Sequence, residues 1–216
     1  MEENAKAILI SGLKKLNINY SEEKIELVKK YLSELLLFNS HFDLVNAKTE
    51  NVFIINHILD SLAGFHFFSF NNNLETKTVA DIGSGAGFPG IPLAIFLPNV
   101  HFSLVERSER RAIFLQNVQA QLKLENVKVF CLDAKKLNQN FDIVTLRALT
   151  TMNEKLFNTL FRLVKSEGRL ILYKGKITKT KDELERLKNE LANSKVQSEI
   201  KKVCSFFRKG ALHCYY

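Results

Sequence analysis

Between Ser21 and Leu36 apolar side chains recur at intervals of three and four, at Ile25, Val28, Leu32, Leu35 and Leu36. That period predicts an amphipathic helix, with Ser21 as its N-cap and Glu22 and Glu23 favourably placed in its first turn. A second helix is expected from about Thr49 to Leu62, carrying His57 and Asp60 one turn apart, where they can brace the loop that follows the first strand or, equally, contact the substrate. From residue 79 the period shortens. Val79-Ala-Asp-Ile82 reads as a central strand buried on both faces, and His101–Glu106, Phe130–Ala134, Phe141–Arg147 and Arg169–Tyr173 read as further strands. Helical patterns separate them. Ser108–Lys123 is expected to turn Ile113, Leu115, Val118 and Leu122 inward, and Thr151–Val164 to do so with Leu156, Leu160 and Leu163. Strands alternating with helices predict an α/β fold with a mostly parallel sheet and right-handed crossovers. Residues 1–75 are then a helical extension packed on the sheet like a lid, linked through the polar Asn71–Asn73 to an α/β domain over 76–216.

The first strand runs directly into Gly83-Ser-Gly-Ala-Gly87 and a helix start. Glycines here allow positive φ and leave no Cβ between the backbone and a ligand lying where the helix amides point outward. Dinucleotide-binding corners read G-x-G-x-x-G, with the third glycine inside the helix. This chain reads G-x-G-x-G and puts Asp81 just before it, a pattern that looks like the Rossmann-like class I methyltransferases that use S-adenosylmethionine (SAM). Glu106 closes the next strand 23 residues after Gly83, where a carboxylate can accept both ribose hydroxyls. Asp133 and Ala134 end the third strand, with Asp133 a candidate acceptor for the adenine amino group, and Arg147 ends the fourth at the same carboxyl edge.

Longer strings go beyond the class. Asp81-Ile-Gly-Ser-Gly-Ala-Gly-Phe-Pro-Gly-Ile-Pro-Leu93, His57-Ile-Leu-Asp-Ser-Leu62, Leu104-Val-Glu106 with Arg111, Phe114 and Leu115, and Arg147-Ala148 together resemble the bacterial RsmG family, also called glucose-inhibited division protein B. The resemblance runs from about residue 31 to 175 and is looser beyond; Gly-Phe-Pro-Gly-Ile-Pro is its most specific string. It implies SAM as cofactor, 16S ribosomal RNA or the small ribosomal subunit as partner, and methylation at N7 of one guanine of the 527-type position. By the family pattern Gly83, Phe88, the pair Ala134-Lys135 and Arg147 contact the cofactor. With the residues above, the candidate cofactor set is Gly83, Gly85, Gly87, Phe88, Glu106, Asp133, Ala134, Lys135 and Arg147, and Arg147 is also the candidate for aligning the guanine. One departure stands out. The family commonly has a basic residue where Asp133 stands and an acid where Lys135 stands, so only the backbone contact of that pair carries over.

The chemistry is consistent with a ring-nitrogen target. Guanine N7 has an in-plane lone pair and no proton, so the enzyme needs alignment and no initial general base. Exocyclic amine methylation usually brings an Asn/Asp-Pro-Pro-aromatic string after the fourth strand; here that segment is Arg147-Ala-Leu-Thr150, and Pro89, Pro92 and Pro98 are the only prolines. C5 methylation needs a nucleophilic cysteine in a suitable loop. Cys131 and Cys214 instead sit in apolar strand contexts, Cys204 makes no C-x-x-C pair, and the five histidines lack metal spacing, so no metal is expected.

Composition and charge then narrow the partners. The 216 residues are 46% hydrophobic, enough for one globular domain with an appendage; no apolar run reaches a membrane span, and the acidic start is unlike a signal peptide. A cytoplasmic monomer is expected. The net charge of +8 is unevenly spread: residues 1–161 carry 17 basic and 17 acidic side chains, residues 162–216 carry 14 and 6. The last quarter is therefore the expected RNA-facing surface, through Lys174, Lys176, Lys179 and Lys181 and through Lys201, Lys202, Arg208 and Lys209. A solubilising face accounts equally well for the terminal cluster. Among the 17 phenylalanines only Phe88 has a position that suggests stacking on the target base. Two other functions stay open on the residues alone: methylation of another RNA or a small molecule, and an RNA-binding assembly factor that keeps a vestigial cofactor fold.

Overall fold

The structure, a computed structural model, describes residues 1–42, 44–45, 49–68, 77–147 and 153–174, with two short strands at 199–201 and 212–215. The helical extension comprises α1 (Glu3–Lys15), α2 (Glu22–Phe42), α3 (Glu50–Phe53), a π-helical turn (Ile54–Leu59), α4 (Asp60–Leu62) and α5 (Phe65–Phe68). Ser21 Oγ accepts the Lys24 amide at the start of α2, and Thr49 Oγ1 accepts that of Val52 at the start of α3. The predicted second helix thus starts where expected, with Thr49 as a cap that the sequence reading did not name, and has a π turn in its middle, a device frequent at functional sites.

The sheet contains β1 (Lys77–Ile82), β2 (Val100–Glu106), β3 (Val127–Cys131), β4 (Phe141–Arg147), β5 (Val164–Lys174), β6 (Glu199–Lys201) and β7 (Leu212–Tyr215), in the order β3-β2-β1-β4-β5-β7-β6. From β3 to β5 every neighbouring pair is parallel, whereas β7 runs antiparallel to β5 and to β6. Chain order reverses at β1: β2 lies on one side and β4 on the other. That reversal opens a crevice at the carboxyl ends of the strands, where such sheets take their ligands.

Alternation along the strands divides the core in two. Val79, Phe102, Ile143 and Ile171 face the helical extension together with α6 (Gly90–Phe96) and α7 (Glu109–Gln121). Ala80, Val105, Val144 and Leu172 face α8 (Glu154–Phe161). Tyr31, Phe53 and Leu9 of the extension belong to the first of these clusters, so the extension completes one face of the sheet.

Four expectations change. Ile113 is 54% exposed, because it lies two residues, or about 200°, from Leu115; Phe114 and Ala112 are buried instead. Leu36 sits at the edge of the α2 stripe and is 43% exposed. Cys131 is an exposed thiol and not a buried one, since β3 is the edge strand. The helix expected over 151–164 is limited to α8, with Asn153 accepting the Leu156 amide as its cap, and Val164 already pairs with Phe141 in β5. Asn71–Asn73 lies outside the described residues.

Candidate functional site

The loop after β1 is built from local geometry. Gly83, Gly85 and Gly87 have φ of 69°, 59° and 96°, as the glycine spacing predicts. Gly83 donates to Val105 O at 2.7 Å and Gly87 to Ser84 O at 2.7 Å, so the loop folds against the end of β2. Glu106 supplies the next tie: its two carboxylate oxygens accept the Gly85 amide at 2.9 Å and the Ser108 amide at 2.8 Å, and the residue is 4% exposed. Below the loop Asp81 is fully buried. Its Oδ2 accepts the Gly90 amide at 3.0 Å, while its Oδ1 has no hydrogen-bond partner. Burial raises this carboxyl to about 7, against the opposing pull of the Gly90 amide and of the Arg147 charge. The sequence offered Asp81 only as a motif marker; the structure makes it the link between loop and α6.

Beside the loop lies a cavity of about 520 Å³ at the switch point. Gly83, Glu106, Asp133, Ala134 and Lys135 all line it, so five of the nine candidate cofactor residues come together. Ile82, Val105, Leu132 and Leu156 supply apolar walls. A Cβ built on Gly83 would meet only Leu146 at 3.8 Å, and one on Gly85 only the Gly83 carbonyl at 3.8 Å, each an ordinary contact, so neither position is closed by packing. Bare backbone, a buried carboxylate and an apolar slot are the features that the aminoacyl end, ribose and adenine of SAM require. The residues present therefore fit that cofactor. In the turn Ala134–Lys136, Asp133 Oδ1 accepts the Lys135 amide at 2.9 Å, so that carboxylate oxygen is engaged as a cap and does not simply await an adenine.

The remaining candidates turn elsewhere. Gly87 packs behind the loop, where a Cβ would come within 2.6 Å of Ile91 and 2.9 Å of the Tyr31 hydroxyl. Phe88 is 7% exposed and stacks on His57 with ring centres 5.0 Å apart, flanked by Tyr31 and Phe53 at 5.7 Å each. This ring is a buried wedge in the described structure, not an open platform for a base. Arg147 reaches away from the cavity to the π turn: its guanidinium lies 3.0 Å from Asp60 Oδ2, donates to Asn56 O at 2.7 Å, and sits 5.5 Å from the Phe88 ring centre. Tyr31 Oη donates to Ala86 O, and Tyr173 Oη to Ser61 O at 2.8 Å. The bracing expected of His57 and Asp60 thus takes a definite form: one stacks on the loop, and the other holds the strand-ending arginine.

Of the expected RNA contacts only Lys174, half-buried at the end of β5, is described with its side chain; Lys201 lies in β6. Lys176, Lys179, Lys181, Lys202, Arg208 and Lys209 fall outside the described residues. The structure adds cations that the sequence reading did not assign to RNA. Arg107, Arg111, Lys135 and Lys155 are exposed and line the cavity from three separate segments. Only folding brings them together, so no charge run marked them.

Comparison with known proteins places this geometry. Residues 24–209 match the family model described as rRNA small subunit methyltransferase G. The protein named ribosomal RNA small subunit methyltransferase G of Treponema denticola is 41% identical, over 75% of this chain and 76% of the relative. Its namesake from Borrelia hermsii is 37% identical over 73% and 74%. Among solved structures, a protein from Methanococcus maripaludis described as a putative SAM-dependent methyltransferase superposes with a TM-score of 0.55 at 17% identity, covering 73% of this chain and 84% of that one. A ribosomal protein L11 methylase from Lactobacillus delbrueckii superposes with a TM-score of 0.54 at 13% identity over 74% and 77%. At such identities the solved structures establish the fold alone: the class I methyltransferase sheet.

Proposed function

The chain belongs to the rRNA small subunit methyltransferase G family, and from that premise we propose that it methylates N7 of one guanine, of the 527-type position, in 16S ribosomal RNA with SAM as cofactor. The observation that carries the reading is the cavity at the switch point, which gathers Gly83, Glu106 and the Ala134–Lys135 turn around an apolar slot. Bound SAM supplies an electrophilic methyl group on a positively charged sulfur.

The protein's share of the chemistry is placement. Gly83 and Gly85 leave room for the aminoacyl end against bare backbone. Glu106 offers a carboxylate to the ribose while its bonds to the Gly85 and Ser108 amides fix its direction. Guanine N7 arrives with its lone pair free, so no side chain has to remove a proton before attack, and holding nucleophile and methyl in line is the main task. Arg147, paired with Asp60, anchors the extension over the carboxyl edge; in this reading it acts on the guanine by setting the shape of that edge. Exposed Arg107, Arg111, Lys135 and Lys155 at the cavity, and the lysine-rich last quarter, attract RNA phosphates. Action on ribosomal RNA supports a cytoplasmic protein, and we take it to work as a monomer. No helix among the described residues is long and apolar enough to cross a membrane.

The test is transfer of labelled methyl from SAM to small subunits isolated from cells lacking the protein. Label in the RNA fraction supports the reading; label in protein, or transfer only to small molecules, contradicts it. Lys176→Glu with Lys179→Glu should weaken RNA binding and reduce the slope of log affinity against log salt by about 1 per lost phosphate contact, with SAM affinity unchanged. Unchanged RNA affinity would remove these two lysines from the interface.

A further inference from the structure

We propose that Arg162 is a positioning residue that holds the Ala134–Lys136 turn in its cofactor-binding shape; this rests on the cofactor reading above. Arg162 is the C-cap of α8 and does not line the cavity. Its guanidinium reaches back to the turn, with Nη1 donating to Leu137 O at 3.0 Å and Nη2 to Ala134 O and Lys135 O at 3.3 Å each. Its own carbonyl accepts Asn140 Nδ2 at 2.7 Å, so main chain and side chain both tie the end of α8 to the segment after β3.

The turn needs such support. It is a single three-residue 3₁₀ turn, closed by Lys136 N to Asp133 O at 2.8 Å and Leu137 N to Ala134 O at 3.2 Å, and 3₁₀ geometry is intrinsically weak. None of its three residues is buried, and it follows the edge strand of the sheet; Leu137, 4% exposed, is its nearest anchor in the core. Asp133 caps its amino end through the Lys135 amide, and of the carbonyls that Arg162 reaches only that of Ala134 has a partner within the turn, the Leu137 amide. A guanidinium suits the carbonyl end, because its planar fork presents several donors at once and its charge opposes the dipoles of both the turn and α8.

The consequence reaches the cavity. Asn153, Lys155, Leu156 and Thr159, from α8 and its N-cap, line it on one side and Asp133–Lys135 on another, so Arg162 fixes two walls relative to each other from outside. Without it the turn must be ordered by the ligand, and that cost lowers affinity. Once the cofactor is bound, Arg162 has no contact through which to alter the transfer step.

The experiment titrates SAM and 5′-methylthioadenosine calorimetrically into the full chain as wild type, Arg162→Met and Arg162→Lys, beside urea unfolding and steady-state kinetics on small subunits. Arg162→Met should raise Kd about fivefold for both ligands, the size expected for ordering a short segment on binding. KM for SAM should rise by the same factor, while kcat, KM for the subunit and the urea midpoint stay near wild type. Arg162→Lys should fall between the two, since one ammonium cannot serve three carbonyls. SAM affinity within twofold of wild type in Arg162→Met would overturn the proposal, as would a loss for SAM that 5′-methylthioadenosine does not share. A wild-type chain that binds no SAM would overturn the cofactor reading and this inference with it.

Discussion

Adding one methyl group to the glycine loop should separate its ligand side from its packed side. At Gly87, with φ of 96°, an alanine Cβ would stand 2.6 Å from Ile91 Cγ1, 2.9 Å from the Tyr31 hydroxyl and 3.2 Å from Leu115 Cδ2. Left-handed backbone costs an L-residue about 1–2 kcal/mol, and forcing a methyl into a filled core adds roughly 1–3 kcal/mol. Gly87→Ala should therefore lose about 2–5 kcal/mol, a large part of the roughly 5–15 kcal/mol that holds a domain folded. At Gly83, φ is 69° but the Cβ meets only Leu146 Cδ1 at 3.8 Å, an ordinary contact. Only the backbone term of about 1–2 kcal/mol applies there, and the stiffer unfolded chain offsets about 0.4–1 kcal/mol of it. Gly83→Ala should then fold nearly as well as wild type yet bind SAM at least about tenfold more weakly, a deficit of about 1.4 kcal/mol. Urea unfolding and SAM calorimetry on both variants provide the assay. Wild-type SAM affinity in Gly83→Ala would refute the claim that bare backbone at this point faces the cofactor. Equal stability loss in the two variants would refute the packing argument.

Three other perturbations have defined outcomes. Burial raises the Asp81 carboxyl to about 7, so the folded chain holds that proton more tightly than the unfolded one; its contribution to stability is full below about pH 4 and is lost as pH rises to about 7. Asp81→Asn keeps an acceptor for the Gly90 amide and should flatten that decline, which denaturant midpoints from pH 4 to 8 would reveal. Asp142 behaves oppositely: burial pushes its carboxyl up, but the bonds from Lys165 and Thr78 outweigh this and bring it to about 2. Its stabilisation is present above about pH 4 and lost as pH falls towards 2, so Asp142→Asn should flatten the acid limb of the same curves. Glu106→Ala should weaken SAM binding by about 1.5–3 kcal/mol, the range for hydrogen bonds to a charged group, and should also loosen the loop by freeing the Gly85 amide; unchanged calorimetric affinity would remove the ribose assignment.

The parts of the site that were legible in the sequence are those made within one strand and the turn after it. Glycines at positive φ, an acid at the end of β2 and Asp133-Ala134 after β3 all sit where strand-loop-helix order puts them. Side-chain direction was not legible when it depends on a distant partner. Arg147 ends β4 as expected, but the turn toward Asp60 and Asn56 is set by a π turn, and a π turn leaves no mark on a period-3.6 pattern. Phe88 followed the glycines in a way that suggested a base platform, until His57, Tyr31 and Phe53 of the extension enclosed it. Ile113 shows a plainer miss, in which an apolar residue was assigned to the inner face although the helical angle puts it on the outer one. Arg162 gave no signal, because its acceptors lie 25 to 28 residues earlier in the chain.

The most direct test identifies the methylated nucleoside itself. Small subunits labelled by the protein and SAM are stripped to 16S RNA, digested to nucleosides and resolved by mass spectrometry. The account predicts 7-methylguanosine as the single labelled product, at one position in the RNA. Label in an exocyclic methylguanosine, in a C5-methylated pyrimidine or at many positions would contradict it.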